Sequence, residues 1–329
     1  MNKLNQILIA ILVLQVGLAV YAFWPQTRVQ AGGPLLPGFA AADVVGLIIQ
    51  DNDNRLVLSK SGADWVLTEA DDFPADGEKI TPVLEKLEGI QTNRLVTQTE
   101  ASHTRLKVAP ADFNRLIEIE LKNGSRHQLY LGSSAGAGAT HVRLDDQPEV
   151  YLTGEVASFD ANTQASAWID TIYYTVPQTA TVALTLQNAN GTFEFEKVGE
   201  SWTMKGLAAD ETFNESALTS LLNQVSSVQM TAPVGREEQP SFGLDVPQAI
   251  VSLKTRTGNQ EDTYTFRVGA RSENGSGFIA GSSESPYYVQ VAEFTGTNLI
   301  DKTRDDFLAQ PPAEEPGIEE NNLDLSQPE

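Results

Sequence analysis

Apolar residues recur along this chain with two different periods, and the periods alternate in blocks. "TFEFEKV" at 192–198 alternates apolar and polar positions, the pattern of a strand with one buried face. "VVGLIIQ", "NRLVLSKSG" and "TVALTLQ" read as further strands bounded by Gly, Asn and Asp turn residues. Two stretches switch to helical spacing. Ile80, Val83, Leu84, Leu87 and Ile90 follow an i, i+3, i+4, i+7 pattern, and Leu218, Leu221, Leu222, Val225 and Val228 do the same. Each predicts an amphipathic helix with a single apolar stripe, and Asp76 and Asn214 stand at matching places as N-caps. Pro82 complicates the first helix, because a proline that deep removes a hydrogen bond. Thr81 as cap, with Pro82 at the first helical position, is the alternative start.

The blocks repeat in order. Trp65 in "GADWVLT" answers to Trp202 in "GESWTMK", and each follows a two-strand pattern and precedes a helix. Next come "TRLKVAPAD" at 104–112 and "SFGLDVPQ" at 241–248, in which Leu106 answers to Leu244 and Pro110 to Pro247. Pro247 disfavours helix at Val246 and keeps the chain extended on entry to the strand that follows. "RLIEIELKNG" then matches "AIVSLKTRTG", "RHQLYLG" matches "TYTFRVG", and "VYLTGEV" matches "YYVQVAE", with Tyr151 answering to Tyr288. The offset stays close to 137 residues throughout. The expected fold class is α+β, with two tandem copies of an antiparallel sheet domain at 43–170 and 178–308. Each copy carries one packed amphipathic helix, and "WIDTIYYTVP" at 168–177 joins the two.

The ends differ from this middle. "ILIAILVLQVGLAVYAFW" at 7–24 is apolar apart from Gln15. At helical rise it spans about 27 Å, close to the thickness of a bilayer core. Residues 1–24 are therefore expected to form one N-terminal transmembrane anchor. A signal peptide cut after Ala22 or Ala31 is the competing reading, but the apolar run exceeds a usual signal core. Lys3 ahead of the run places the remainder outside the cytoplasm, although Arg28 beyond it pulls the other way. Residues 25–42, rich in Pro, Gly and Ala, read as a flexible tether. Residues 309–329, acidic and proline-bearing without a basic residue, read as a disordered tail.

Composition narrows the function. With 41% hydrophobic and 20% charged residues, the 329-residue chain has the make-up of a folded protein of about two domains. A net charge of −22 repels phosphate backbones and anionic headgroups, which argues against a nucleic-acid partner. The absence of cysteine excludes disulfides, thiolate metal sites and a lipid on an N-terminal Cys.

Candidate chemistry is sparse. "GSSAG" at 132–136 matches G-x-S-x-G, but a nucleophile elbow needs a helix after the serine. "AGAGATHVRL" supplies glycines and a strand instead, and His141 is the only histidine beyond Ser134. A hairpin loop is the better reading than esterase chemistry at Ser134. His103, His127 and His141 lack zinc-site spacing and read as surface residues. "DNDN" at 51–54 lacks the Gly and the closing Glu of a calcium loop and reads as a turn. Trp65 and Trp202 read as core. Gly243 and Asp245, in the turn phrase, and Tyr287 and Tyr288, of which alternation turns one to solvent, are the candidate partner contacts. No catalytic, cofactor-binding or metal-binding residue is assigned.

The order of an apolar N-terminal segment, "WVLT" and "PAD" before a leucine-spaced helix, "FGLDVP", "FRVG" and "YYV" resembles the bacterial membrane-anchored proteins of domain of unknown function 4340. The resemblance covers roughly 43–308, in two copies, and its signature is a scaffold rather than a catalytic set. It implies a non-enzymatic, single-pass protein of the cell membrane with most of its chain extracytoplasmic. Such a protein needs no cofactor and touches the bilayer through residues 7–24. The implied partners are an ABC-2 type transporter permease and the extracytoplasmic auxiliary subunit related to a gliding-motility transport protein. The alternative is a free-standing cell-envelope binding module for glycan or peptide. The first copy departs from the pattern at Arg105 and Lys107, which replace the Gly-Leu-Asp phrase.

Overall fold

The computed structural model describes residues 32–309 except Asn274, together with Gln15. The expected anchor (Gln15 apart), the first seven tether residues and the tail from 310 onward lie outside the described residues. Among the described residues no helix is long and apolar enough to cross a membrane.

The chain runs through β1 (Val44–Gln50), β2 (Arg55–Ser61), β3 (Asp64–Leu67), β4 (Phe73–Ala75), helix α1 (Gly77–Glu88), β5 (Leu95–Thr97) and the single turn α2 (His103–Leu106). A small hairpin of β6 (Val108–Ala109) and β7 (Asp112–Phe113) leads to β8 (Arg115–Leu121), β9 (Arg126–Gly136), β10 (Ala139–Leu144) and β11 (Val150–Thr153). Then follow β12 (Ile172–Thr175), β13 (Thr181–Asn188), β14 (Gly191–Val198), β15 (Ser201–Met204), helix α3 (Glu215–Ser226), β16 (Ser227–Gln229) and β17 (Ala232–Gly235). The last elements are β18 (Ala249–Thr257), β19 (Gln260–Arg271), β20 (Gly277–Ser282), β21 (Tyr288–Ala292) and helix α4 (Glu293–Ile300).

The fold is α+β and rich in sheet. One sheet has nine strands in the order β4-β3-β2-β1-β8-β9-β10-β11-β5, and another has eight in the order β15-β14-β13-β18-β19-β20-β21-β17. Their central pairs are antiparallel, as in β8–β9 and β18–β19, and glycines at positive φ, Gly124 (84°) and Gly258 (62°), turn those two hairpins. By contacts the chain divides into two compact units, Met1–Asp53 with Thr81–Asn162, and Asn54–Ile80 with Thr163–Glu329.

Local pattern explains the elements. In β14, Phe193 and Phe195 are buried while Thr192, Glu194 and Glu196 are exposed, as alternation predicts. The two apolar stripes, Ile80 to Ile90 and Leu218 to Val228, are buried at every position named above, but the helices end before their last members: Ile90 lies past α1 and Val228 falls in strand β16. Asn214 caps α3, its Oδ1 accepting from Ala217 N at 3.3 Å. In α1 the start lies at Asp76 and not at Thr81: Asp76 Oδ1 accepts from Glu78 N at 2.9 Å, and the Asp76 carbonyl accepts from Lys79 N at 3.1 Å. Pro82 therefore sits inside the helix. It is tolerated there because Pro82 and Glu78, whose carbonyl loses its amide partner, are both exposed to water.

Several expectations change. Within the stretch read as a tether, Leu35, Leu36 and Phe39 are buried and Leu35 N donates to Ile90 O at 2.8 Å, so the folded part begins ahead of Val44. His103 and His141 are buried rather than on the surface, because carbonyls satisfy them: His103 Nε2 lies 3.0 Å from Pro148 O and His141 Nδ1 lies 2.7 Å from Ser133 O. His127 is half-buried against Asp145. Trp65 is core, but Trp202 is half-buried, since its strand β15 is the outermost of its sheet while β3 has β4 beyond it. The joining segment contains a strand, β12. β12 pairs with β16, Tyr174 donates to Val225 O at 2.8 Å, and Trp168, Ile169, Tyr173 and Val176 are buried.

Candidate functional site

The phrase "SFGLDVP" forms a tight turn seated on a strand. Pro240–Phe242 makes one turn of 3₁₀ helix, and Gly243 then takes a left-handed φ of 61°, which reverses the chain. Phe242 and Leu244 point inward and form an apolar cluster with Ile279, flanked by half-buried Val234 and Tyr288. The turn lies directly on the backbone of β19: a Cβ on Gly269 would come within 2.1 Å of Phe242 O. Polar contacts then rim the cluster. Arg267 Nη1 donates to Leu244 O at 2.9 Å, and Arg267 Nη2 lies 3.4 Å from Glu238 Oε2. Tyr288 donates its hydroxyl proton to the same Glu238 oxygen at 2.7 Å, and its ring stands 5.5 Å from that of Phe242. That hydrogen bond to Glu238, and after it burial, raises the Tyr288 pKa above the ordinary tyrosine value. Asp245 and Val246 follow on the surface, with Val246 79% exposed.

Gly243, Asp245 and Tyr288 thus share one patch, and Tyr287 does not join them. Its ring is buried edge-on against Phe73 at 4.7 Å, with the Arg236 guanidinium 4.5 Å above it. Its hydroxyl takes a hydrogen bond from Arg236 and donates to Asp72 O at 3.1 Å. Alternation does turn the two tyrosines to opposite sides, but the Phe242 turn covers the second side, so Tyr288 is only half exposed. Glu238 and Arg267 were not foreseen. Arg267 stands in the quoted "FRVG", yet nothing local links it to an acid 29 residues away.

The serine motif takes another form. Ser134 lies in β9, where its Oγ donates to Ala139 O at 3.4 Å and accepts from Gly136 N at 3.3 Å. The hydroxyl that meets His141 is that of Ser133, at 3.2 Å from Nδ1. Among the described residues no group of three or more His, Cys, Asp and Glu side chains could hold a metal ion.

A family model described as Domain of unknown function (DUF4340) matches residues 65–239, a span that ends just before the turn at Pro240. No curated protein and no solved structure matches the chain.

Proposed function

The chain belongs to the family of domain of unknown function 4340, and from that membership we propose that it is a non-enzymatic accessory protein of an ABC-2 type transporter. In this reading residues 7–24 hold it in the cell membrane, and the rest of the chain stands outside the cytoplasm beside the permease and auxiliary subunit. The observation that carries the reading is the apolar run at 7–24 ahead of a folded, strongly acidic chain. The work is positional. An anchored protein samples its membrane partners at a high effective concentration and makes or breaks no bond. The patch of Asp245, exposed Val246, Tyr288 and Glu238 is the contact surface we assign to the partner.

The reading also takes the two sheets as tandem copies, at 43–170 and 178–308. Strand order supports it, since β3-β2-β1-β8-β9-β10-β11 runs parallel in sequence to β15-β14-β13-β18-β19-β20-β21. Each sheet is closed by a strand that follows its helix, β5 or β17. Lys107 and Gly243 are both left-handed, at φ 59° and 61°, and Gly132 and Gly269 each lie under a carbonyl that a Cβ would meet at 2.1 Å. That geometry matches Leu106 to Phe242 and Val108 to Leu244, two places away from the pairing of Leu106 with Leu244.

The test is crosslinking of the full chain in native membranes, followed by detergent extraction. An ATPase and a permease should be recovered with it, and Asp245→Arg should reduce their yield. Recovery of the chain alone, under conditions that keep other membrane complexes whole, would overturn the proposal; recovery with cell-wall material would favour a free-standing binding module.

A further inference from the structure

Among the described residues Arg143 is an anomalous charged side chain. It is 2% exposed, and among the described residues no carboxylate lies within salt-bridge distance of it. Its hydrogen bonds go to backbone carbonyls: Nε donates to Val108 O at 2.7 Å, and Nη1 to Asp145 O and, at 3.5 Å, to Gln147 O. The guanidinium also stacks 4.2 Å over the Tyr130 ring. Nη2 is buried and has no partner. A guanidinium stays charged at any ordinary pH, and a buried N–H without an acceptor is costly, so such a donor points to a missing acceptor.

The second sheet holds a comparable arrangement with the acceptor in place. There Arg267 donates through Nη1 to Leu244 O, the carbonyl just after left-handed Gly243, while its Nη2 faces the Glu238 carboxylate. Arg143 likewise donates to Val108 O, the carbonyl just after left-handed Lys107, and its Nη2 faces no carboxylate. What lies beside Arg143 instead is a cavity of about 330 Å³, lined by Glu100, His103, Ala109, Pro110, Arg143 and Asp146. That volume suits a small molecule.

We propose that this cavity binds a small zwitterion, an amino acid or short peptide, whose carboxylate is received by Arg143. Two of the remaining lining residues, Glu100 and Asp146, are acids with exposed side chains. They would repel a bare anion such as sulfate but attract an ammonium group on the same ligand. Nε2 of His103 is already engaged by Pro148 O, and Ala109 and Pro110 give an apolar wall. The inference is independent of the transporter reading, since these residues stand apart in sequence from the patch around Asp245.

The experiment is calorimetric titration of the detergent-solubilised full chain with alanyl-alanine, its C-terminal amide, its N-acetyl derivative and sulfate. The free dipeptide should bind, amidation should weaken binding at least about tenfold, and N-acetylation should weaken it severalfold. Arg143→Lys should match the loss on amidation. Because that change is buried, the exposed pair Glu100→Gln and Asp146→Asn provides a second arm, which should weaken the free dipeptide but not the N-acetyl form. No binding of the free dipeptide, equal binding of the amide, or sulfate binding as tight as the dipeptide would each overturn the proposal.

Discussion

Removing one oxygen atom, in Tyr173→Phe, tests how β12 is held. The Tyr173 hydroxyl donates to Tyr287 O at 2.6 Å and accepts from Ser282 N at 3.0 Å, and its ring is 8% exposed. Phenylalanine keeps the ring and its packing, so the loss falls on the two hydrogen bonds. A buried carbonyl and a half-buried N–H would each lose this partner, at about 1–1.5 kcal/mol apiece, or about 2–3 kcal/mol together. The same burial gives a second readout. It pushes the Tyr173 pKa up to about 12, against 10.0 for a free tyrosine, with the Ser282 hydrogen bond opposing it. A raised native pKa means that the folded state keeps its proton longer than the unfolded one. The stabilisation is complete below pH 10 and falls away as the pH rises towards 12, by roughly 3 kcal/mol across that window. Burial raises Tyr174 as well, so wild-type protein should lose stability steeply in this window and the variant less steeply. Urea titrations of the full chain near neutral pH and at several alkaline values measure both effects. A variant within about 0.5 kcal/mol of wild type at neutral pH, with the same alkaline slope, would refute the assigned bonding.

Gly269→Ala and Gly132→Ala place a Cβ 2.1 Å from the carbonyls of Phe242 and Leu106, and each should cost about 2–3 kcal/mol in thermal melts, whereas Gly154→Ala, with open space around it, should be close to neutral. A Gly269→Ala protein melting with wild type would show that the turn at Phe242 does not rest on β19. Hydrogen bonds from Arg304, then from Ala208 N, hold the Glu211 carboxyl down at about 2, so its contribution is present above pH 4.5 and is lost as the pH falls towards 2. Arg304→Gln should return that carboxyl towards the ordinary range in an NMR titration, and an unchanged midpoint would remove Arg304 as the cause.

What the chain discloses before folding is what depends on near neighbours. The stripes from Ile80 to Ile90 and from Leu218 to Val228, the cap at Asn214 and the alternation of β14 are all local, and the structure keeps them. The start of α1 was ambiguous because Pro82 signals a beginning, while the hydrogen bonds at Asp76 decide it. Leu35, Leu36 and Phe39 were hidden by the prolines and glycines around them, since composition averages over the residues that pack. The two turn phrases echo in their letters at Leu and Pro, but each turns left-handed at a residue that the letters do not match, Lys107 and Gly243, and at the first a lysine does what is usually left to glycine. The contacts that make the candidate sites are long in sequence: Arg143 reaches Val108 across 35 residues, and Tyr287 reaches Asp72 across 215. No periodicity encodes such pairs.

The grouping of Asn54–Ile80 with Thr163–Glu329 bears on how the protein is made. Synthesis delivers Phe73 more than two hundred residues before Tyr287, the ring it packs against. At about 5–20 residues per second, Phe73 waits roughly 10–45 s for that partner. During that interval the Phe73 ring needs another cover, whether the nascent chain itself or a holding chaperone. A fragment ending at residue 162 would carry all nine strands of the first sheet yet leave Phe73 without that partner, and one starting at residue 163 would leave Tyr287 without Phe73 and the Asp72 carbonyl. Separating the halves for expression therefore cuts the Phe73–Tyr287 contact, and carrying residues 54–80 with the later part of the chain would instead part β2 from β1.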